Sequence, residues 1–85
     1  MSEVMALRTQ ILENLKALRD RNLERRQFVS ILDGDEEWTI FLDDTNPSLP
    51  RVFRESDYHG KGPTPEEAYK NMLKQTAREL YRRCQ

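Results

Sequence analysis

The side chains that could carry out chemistry are few and lie far apart in the chain. His59 is the single histidine among 85 residues, and Cys84 is the single cysteine. A general base needs a nucleophile or a substrate proton within hydrogen-bond reach, and no serine or cysteine motif accompanies His59. We therefore interpret His59 as a loop histidine and Cys84 as an incidental thiol, and we do not expect an enzyme.

Neither of the two glycine-containing segments matches a metal or phosphate site. The acidic run DGDEE at residues 33–37 is shorter than a Ca²⁺ loop, which spans about twelve residues and ends on a glutamate. The segment GKG at residues 60–62 precedes a predicted helix, but Pro63 and Pro65 remove two of the amide donors that would hold a phosphate. We predict no metal ion and no cofactor.

The charge of the chain is concentrated in its centre. The net charge is −1, yet residues 31–50 contain six acidic and no basic residues. Such a segment can steer the approach of a basic partner surface, including one that normally holds nucleic acid. The other interpretation is that these acids protect a hairpin edge from aggregation. The predicted partner contacts in this segment are Asp35, Glu36 and Glu37.

A second predicted partner surface combines arginine with aromatic residues, the composition typical of contact hot spots. Phe53 in this group could equally belong to the core. The predicted contacts are Arg51, Phe53, Arg54 and Tyr58.

The alternative function is regulatory nucleic-acid binding through arginines near the ends of two predicted helices. Such binding depends on a strongly basic surface, whereas here lysine and arginine are nearly balanced by acids and the pI is about 5.8. The residues that would serve this alternative are Arg21, Arg25, Arg26, Arg82 and Arg83.

Two helices are predicted to position these residues. Apolar residues recur at helical spacing from about Glu3, and this first helix is expected to fade within residues 21–26. Its narrow apolar stripe could also pair with a second copy in a homodimer. The second helix is predicted to begin after Thr64 as N-cap, with Pro65 in the first turn and Glu67 completing a capping box.

A β-hairpin is predicted between the helices. Residues 28–32 and 38–42 are rich in β-branched and aromatic side chains, and an Asp-Gly pair lies between them. Alternation places Ile40 on the buried face. Phe41 then points the other way, so it is either partly exposed or a sign that the second face is covered. A short third strand is predicted at residues 51–54, and residues 56–63 are predicted to form a mobile loop.

These elements predict one α+β domain over residues 1–85, in the order α-β-β-(β)-α, with a small antiparallel sheet packed with two helices. Both helices are expected on one sheet face, the alternative being one helix on each. No segment is long enough to span a membrane, and the N-terminus lacks the features of a secretory signal. With the single cysteine, this predicts a cytoplasmic protein.

The hairpin FVSILDGDEEWTIFL and the following junction G-x-T-P-E-E-A, at residues 62–68, resemble small phage-associated α/β sandwich modules. The junction also resembles the HicB-like antitoxin module, although this chain begins with a predicted helix rather than a strand. The resemblance implies a phage or mobile-element accessory or inhibitor protein that binds a host or phage protein without catalysis. It transfers no functional residue.

The order α-β-β-β-α is also that of double-stranded-RNA-binding domains. In that family the last helix starts with a basic KKxAK-like segment, which is replaced here by Pro65-Glu66-Glu67.

Overall fold

The computed structural model describes residues 3–19, 26–34, 36–44 and 58–83. These residues form two helices and one antiparallel sheet with strand order β1-β2-β3. The predicted α+β class and element order are confirmed. The elements are α1 (Glu3–Ala17), β1 (Arg26–Asp33), β2 (Glu37–Asp44), β3 (His59–Gly62) and α2 (Pro65–Arg83).

The hairpin of β1 and β2 pairs one to one along its whole length, from Arg26 opposite Asp44 to Asp33 opposite Glu37. Its turn contains Gly34 with φ 66° and Glu36 with φ 93°. Positive φ angles are what a tight hairpin turn requires, and glycine adopts them without steric cost. The predicted Asp-Gly turn is therefore present.

Both helices pack on the same face of the sheet. The buried core joins Ile11 and Leu15 of α1, Ile40 of β2, and Ala68 and Met72 of α2. The helices run parallel, because Asn14 Nδ2 donates to Thr76 Oγ1 at 3.2 Å and Arg83 Nη1 donates to the Leu18 carbonyl at 3.5 Å. The one-face arrangement is the one found.

The opposite face of the central strand is also buried at two positions. Phe41 is 1% exposed and Thr39 is 6% exposed, although both alternate with the core residue Ile40. The side chain of Phe41 thus marks a covered second face rather than an exposed aromatic.

The third strand lies where the sequence predicts a loop. Strand β3 occupies His59–Gly62 and pairs antiparallel with β2, so the loop prediction for residues 56–63 is wrong for these four residues. A pair of glycines usually signals a loop. Here Gly60 and Gly62 lie against α2, where a Cβ on either would collide with the helix, and close approach of backbones is a recognised use of strand glycines. The predicted strand at residues 51–54 lies outside the described residues.

Helix α1 ends at Ala17, before the predicted region of residues 21–26. Arg19 adopts a left-handed backbone conformation with φ 62°, and its N–H donates to the Lys16 carbonyl at 3.0 Å. A left-handed residue after the last turn terminates a helix, and no glycine marks that position in the sequence.

Within the described parts of the chain, neither helix combines the length and apolar character needed to cross a membrane.

Candidate functional site

The hairpin turn and the start of α2 lie at one end of the molecule. Trp38, next to the turn, pairs with Gly62, which lies just before the cap of α2. That cap is the predicted one, since the Glu67 N–H donates to Thr64 Oγ1 at 3.2 Å. The start of α1 lies at the same end, because Glu3 is 3.6 Å from Lys70 Nζ on α2. Five carboxylates therefore gather at what we call the acidic end: Glu3, Glu36, Glu37, Glu66 and Glu67.

Lys70 partly neutralises the acidic end. Its Nζ lies 3.4 Å from Glu66, 3.6 Å from Glu3 and 3.9 Å from Glu67. The hydrogen bond to Glu66 and the charges of the three carboxylates hold the pKa of Lys70 above its ordinary value of 10.5. Glu36 and Glu37 are exposed, and neither has an ion-pair partner among the described residues. Within the described ranges, the hairpin side of the acidic end is thus the side whose charge is uncompensated.

The predicted partner residues fall into two groups in the structure. Glu36 and Glu37 belong to the acidic end, whereas Tyr58 is half-buried and packs against the hydrophobic core. The remaining predicted contacts lie outside the described residues: Asp35, Arg51, Phe53 and Arg54.

The arginines of the nucleic-acid alternative are only partly available. Arg82 and Arg83 are exposed in the last turn of α2, but both lie near Glu79, at 3.6 Å and 3.2 Å. Arg26 is half-buried at the start of β1, at the sheet end remote from the hairpin turn. Arg21 and Arg25 lie outside the described residues.

A basic cleft, which sequence reasoning missed, runs between β3 and α2. The Asn71 amide donates to the Lys61 carbonyl at 2.5 Å, and the His59 N–H donates to Gln75 Oε1 at 2.6 Å. Lys74 and Arg78 are exposed and have no ion-pair partner in the described part of the chain. The open cleft has a volume of about 340 Å³ and is lined by His59, Gly60, Lys61, Asn71, Lys74, Gln75 and Arg78.

The only sign of this cleft in the sequence is the spacing of its residues on α2. Asn71 and Gln75 are four apart, as are Lys74 and Arg78, and residues at this spacing share one helix face. The signal could not be used without knowing that β3 lies opposite this face. The described residues that line the cleft include no carboxylate, so this lining favours an anionic group over a cation.

Arg8 of α1 has a structural role. Its guanidinium carbon lies 5.1 Å from the ring centre of Phe28 and 5.5 Å from that of Tyr69. Its Nε donates to the Tyr69 hydroxyl at 2.9 Å. Cation–π contacts of this kind stabilise a packed pair of elements, and here they join α1, β1 and α2.

Among the described residues there is no group of three or more histidine, cysteine or acidic side chains that could hold a metal ion. The carboxylates of the acidic end converge on Lys70 or point into solvent, and the cleft presents cations. What these surfaces offer is charge and hydrogen bonding to a partner.

Comparison of the chain with protein-family models, with curated proteins and with solved structures finds no match. The resemblance to phage-associated modules and to the HicB-like junction therefore stays a prediction.

Proposed function

We propose that the protein is a non-catalytic module that binds another protein through the hairpin side of its acidic end. The observation that supports this is the exposure of Glu36 and Glu37, which have no compensating cation among the described residues, at an end that already holds Glu3, Glu66 and Glu67. Uncompensated surface charge accelerates the encounter with an oppositely charged surface and discriminates against like-charged partners.

The partner that fits this surface is a basic protein surface. A surface that normally holds nucleic acid has the required charge, so the module would act as an inhibitor or accessory protein by occupying it. A host or phage protein is the partner that the sequence resemblance implies.

Charge reversal tests the acidic end. The chain is immobilised, and the proteins it captures from the cells it comes from are identified and then titrated directly. The double variant Glu36→Lys/Glu37→Lys should weaken binding of the captured protein by at least tenfold, because attraction is replaced by repulsion. Raising the ionic strength to about 1 M should weaken wild-type binding in the same way, since the screening length falls to about 3 Å.

Glu13→Lys is the matched control. Glu13 is exposed in the middle of α1, outside the acidic end. Its reversal changes the net charge as much as the single variant Glu36→Lys does, so these two single variants are compared alongside the double variant. Binding that survives Glu36→Lys/Glu37→Lys, or that is lost equally in Glu13→Lys, would contradict the proposal.

Nucleic-acid binding is the second candidate, and the basic cleft favours it. Lys74 and Arg78 are exposed beside the backbone of β3 and could contact phosphates. The element order with both helices on one sheet face is also compatible with the architecture of double-stranded-RNA-binding domains. Against it stands the acidic start of α2, at the place where that family carries its basic segment.

A mobility-shift titration with duplex RNA and duplex DNA separates the two candidates. Nucleic-acid binding predicts tight binding at low salt that weakens steeply at moderate salt and is lost in Lys74→Glu/Arg78→Glu. The exposed Lys16 of α1 supplies the control Lys16→Glu. Duplex binding with these properties would replace the protein-binding proposal, and its absence would remove the second candidate.

A further inference from the structure

The two edges of the sheet differ in whether their outward backbone groups are bonded to another described element. At the β3 edge, the outward-facing N–H of His59 and carbonyl of Lys61 are both bonded to side chains of α2, from Gln75 and Asn71. Helix α2 therefore closes this edge against a further strand.

Strand β1 forms the other edge, and the register shows which of its backbone groups face outward. The backbone N–H and C=O groups of His59 and Lys61 point away from β2. Those of Gly60, which lies between them, therefore bond to Ile40 of β2. On either side of Ile40, the backbone groups of Thr39 and Phe41 point to β1. They bond to the backbone of Ile31 and Val29, respectively. The backbone N–H and C=O groups of Phe28, Ser30 and Leu32 consequently point away from the sheet.

As far as the structure describes the chain, the β1 edge lacks the usual protection of a free edge. Edge strands are normally short, bulged, or interrupted by proline or lysine. Strand β1 has eight residues, pairs without a bulge, and carries no charge between Gln27 and Leu32. Ile31 is 41% and Leu32 is 52% exposed. In the described part of the chain no element lies beyond β1 in the sheet.

We propose that β1 pairs antiparallel with β1 of a second copy of this chain, about a two-fold axis at Ser30. In this register Ser30 faces the partner's Ser30, and Phe28 faces the partner's Leu32. On the other face of the sheet, Val29 lies opposite the partner's Ile31. The three outward-facing residues of each strand form closely bonded pairs, giving about six backbone hydrogen bonds in a continuous six-stranded sheet.

The edge is self-complementary only in this register. Moving the axis to Val29 places Leu32 opposite the partner's Arg26, and moving it to Ile31 places Phe28 opposite the partner's Gly34. With the axis at Ser30, apolar residues meet apolar residues on both faces, and such cross-strand pairs stabilise a sheet. This matching of the strand to itself identifies a second copy as the occupant.

Helix α1 does not provide the dimer surface that its stripe predicted. Ile11 is 0%, Leu15 is 1% and Leu18 is 8% exposed, because all three pack in the core of their own chain. The residues that form the proposed pairing, 28–32, include no carboxylate of the acidic end, so the dimer does not depend on the proposed function.

Sedimentation equilibrium of two charge variants tests the dimer. Ser30 is exposed, so Ser30→Lys and Ser30→Glu should fold as the wild type does, which circular dichroism checks. Wild type should dimerise, and each variant should raise the dissociation constant at least tenfold, since like charges then face each other across the axis. An equimolar mixture of the two variants should restore the dimer. The control Gln27→Lys adds the same charge on the same strand, opposite the partner's Asp33, and should dimerise at least as well as wild type.

Amide hydrogen exchange tests the register. The amides of Phe28, Ser30 and Leu32 should gain protection as protein concentration rises, whereas those of Val29 and Ile31 should be protected at every concentration. A wild-type monomer at millimolar concentration, a dimer that Ser30→Lys leaves unchanged, or equal exchange of the three outward amides at low and high concentration would each overturn the proposal.

Discussion

Gly60 is the residue on which the contact between β3 and α2 most directly depends. A Cβ at this position would collide with the Ala68 carbonyl and the Met72 nitrogen of α2, and would lie 2.9 Å from Met72 Cβ. The colliding atoms belong mainly to helix backbone, which cannot rotate away as a flexible side chain can. The hydrogen bonds of Asn71 and Gln75 to β3 require the same close approach.

We predict that Gly60→Ala destabilises the protein by about 3 kcal/mol, the upper part of the range for overpacked cores. Urea unfolding measures this. Gly34→Ala is the comparison, because no atom lies within 4 Å of a Cβ there and only the φ of +66° opposes the change, a cost of about 1 kcal/mol. Equal stabilities of the two variants would show that α2 can move away from β3 without loss.

Arg8 shows the limit of periodicity at the scale of single residues. It lies on the polar side of the α1 pattern, yet its long side chain reaches across to Phe28 and Tyr69. Periodicity gives the direction of a Cα–Cβ bond but not the reach of a flexible chain. For Phe41, alternation gives the sheet face on which the side chain lies, but its burial depends on what covers that face.

At the scale of elements, neighbouring residues were sufficient to predict a structure whenever the interactions that form it lie within one segment. The cap at Thr64, the Asp-Gly turn and the two strands of the hairpin were predictable from neighbouring residues. Strand β3 was not, because its two glycines are favourable only when α2 packs on them. The basic cleft was missed for the same reason, since one of its walls is β3. The glycines of β3 are explained by its packing against α2, and such a tertiary contact leaves no strand pattern in the local sequence.

At the scale of the whole molecule, the parallel helices create a charge polarity. Two helix N-termini and the hairpin turn lie at the acidic end, while Arg82 and Arg83 lie at the other end of α2. The proposed antiparallel dimer would place the two hairpin turns at opposite ends of one sheet, separated by roughly 30 Å at about 3.3 Å per residue. Two acidic ends at a fixed separation would bind a repeated basic surface with avidity.

Lys70 connects the stability of this arrangement to its proposed function. Its ammonium joins α2 to α1 through Glu3 and also pairs with Glu66 of its own helix, yet its positive charge opposes a basic partner. We predict that Lys70→Met lowers stability at neutral pH and low salt while strengthening binding of the partner captured by the wild type. Thermal unfolding and direct titration measure the two effects.

The pH dependence identifies the cause of the stability loss. The pKa of Lys70 is raised above 10.5 in the folded protein by Glu66, Glu3 and Glu67, so the folded state favours the protonated amine. The stabilisation is therefore fully present below the unfolded pKa and is lost as pH rises through the folded pKa. The difference in melting temperature between wild type and Lys70→Met should be constant from about pH 7 to 9. It should begin to shrink near the ordinary lysine pKa of 10.5 and vanish only above the higher pKa of the folded protein. A difference that persists at high pH would assign the loss to packing of the lysine stem, and the acidic end would then not need Lys70 for its assembly.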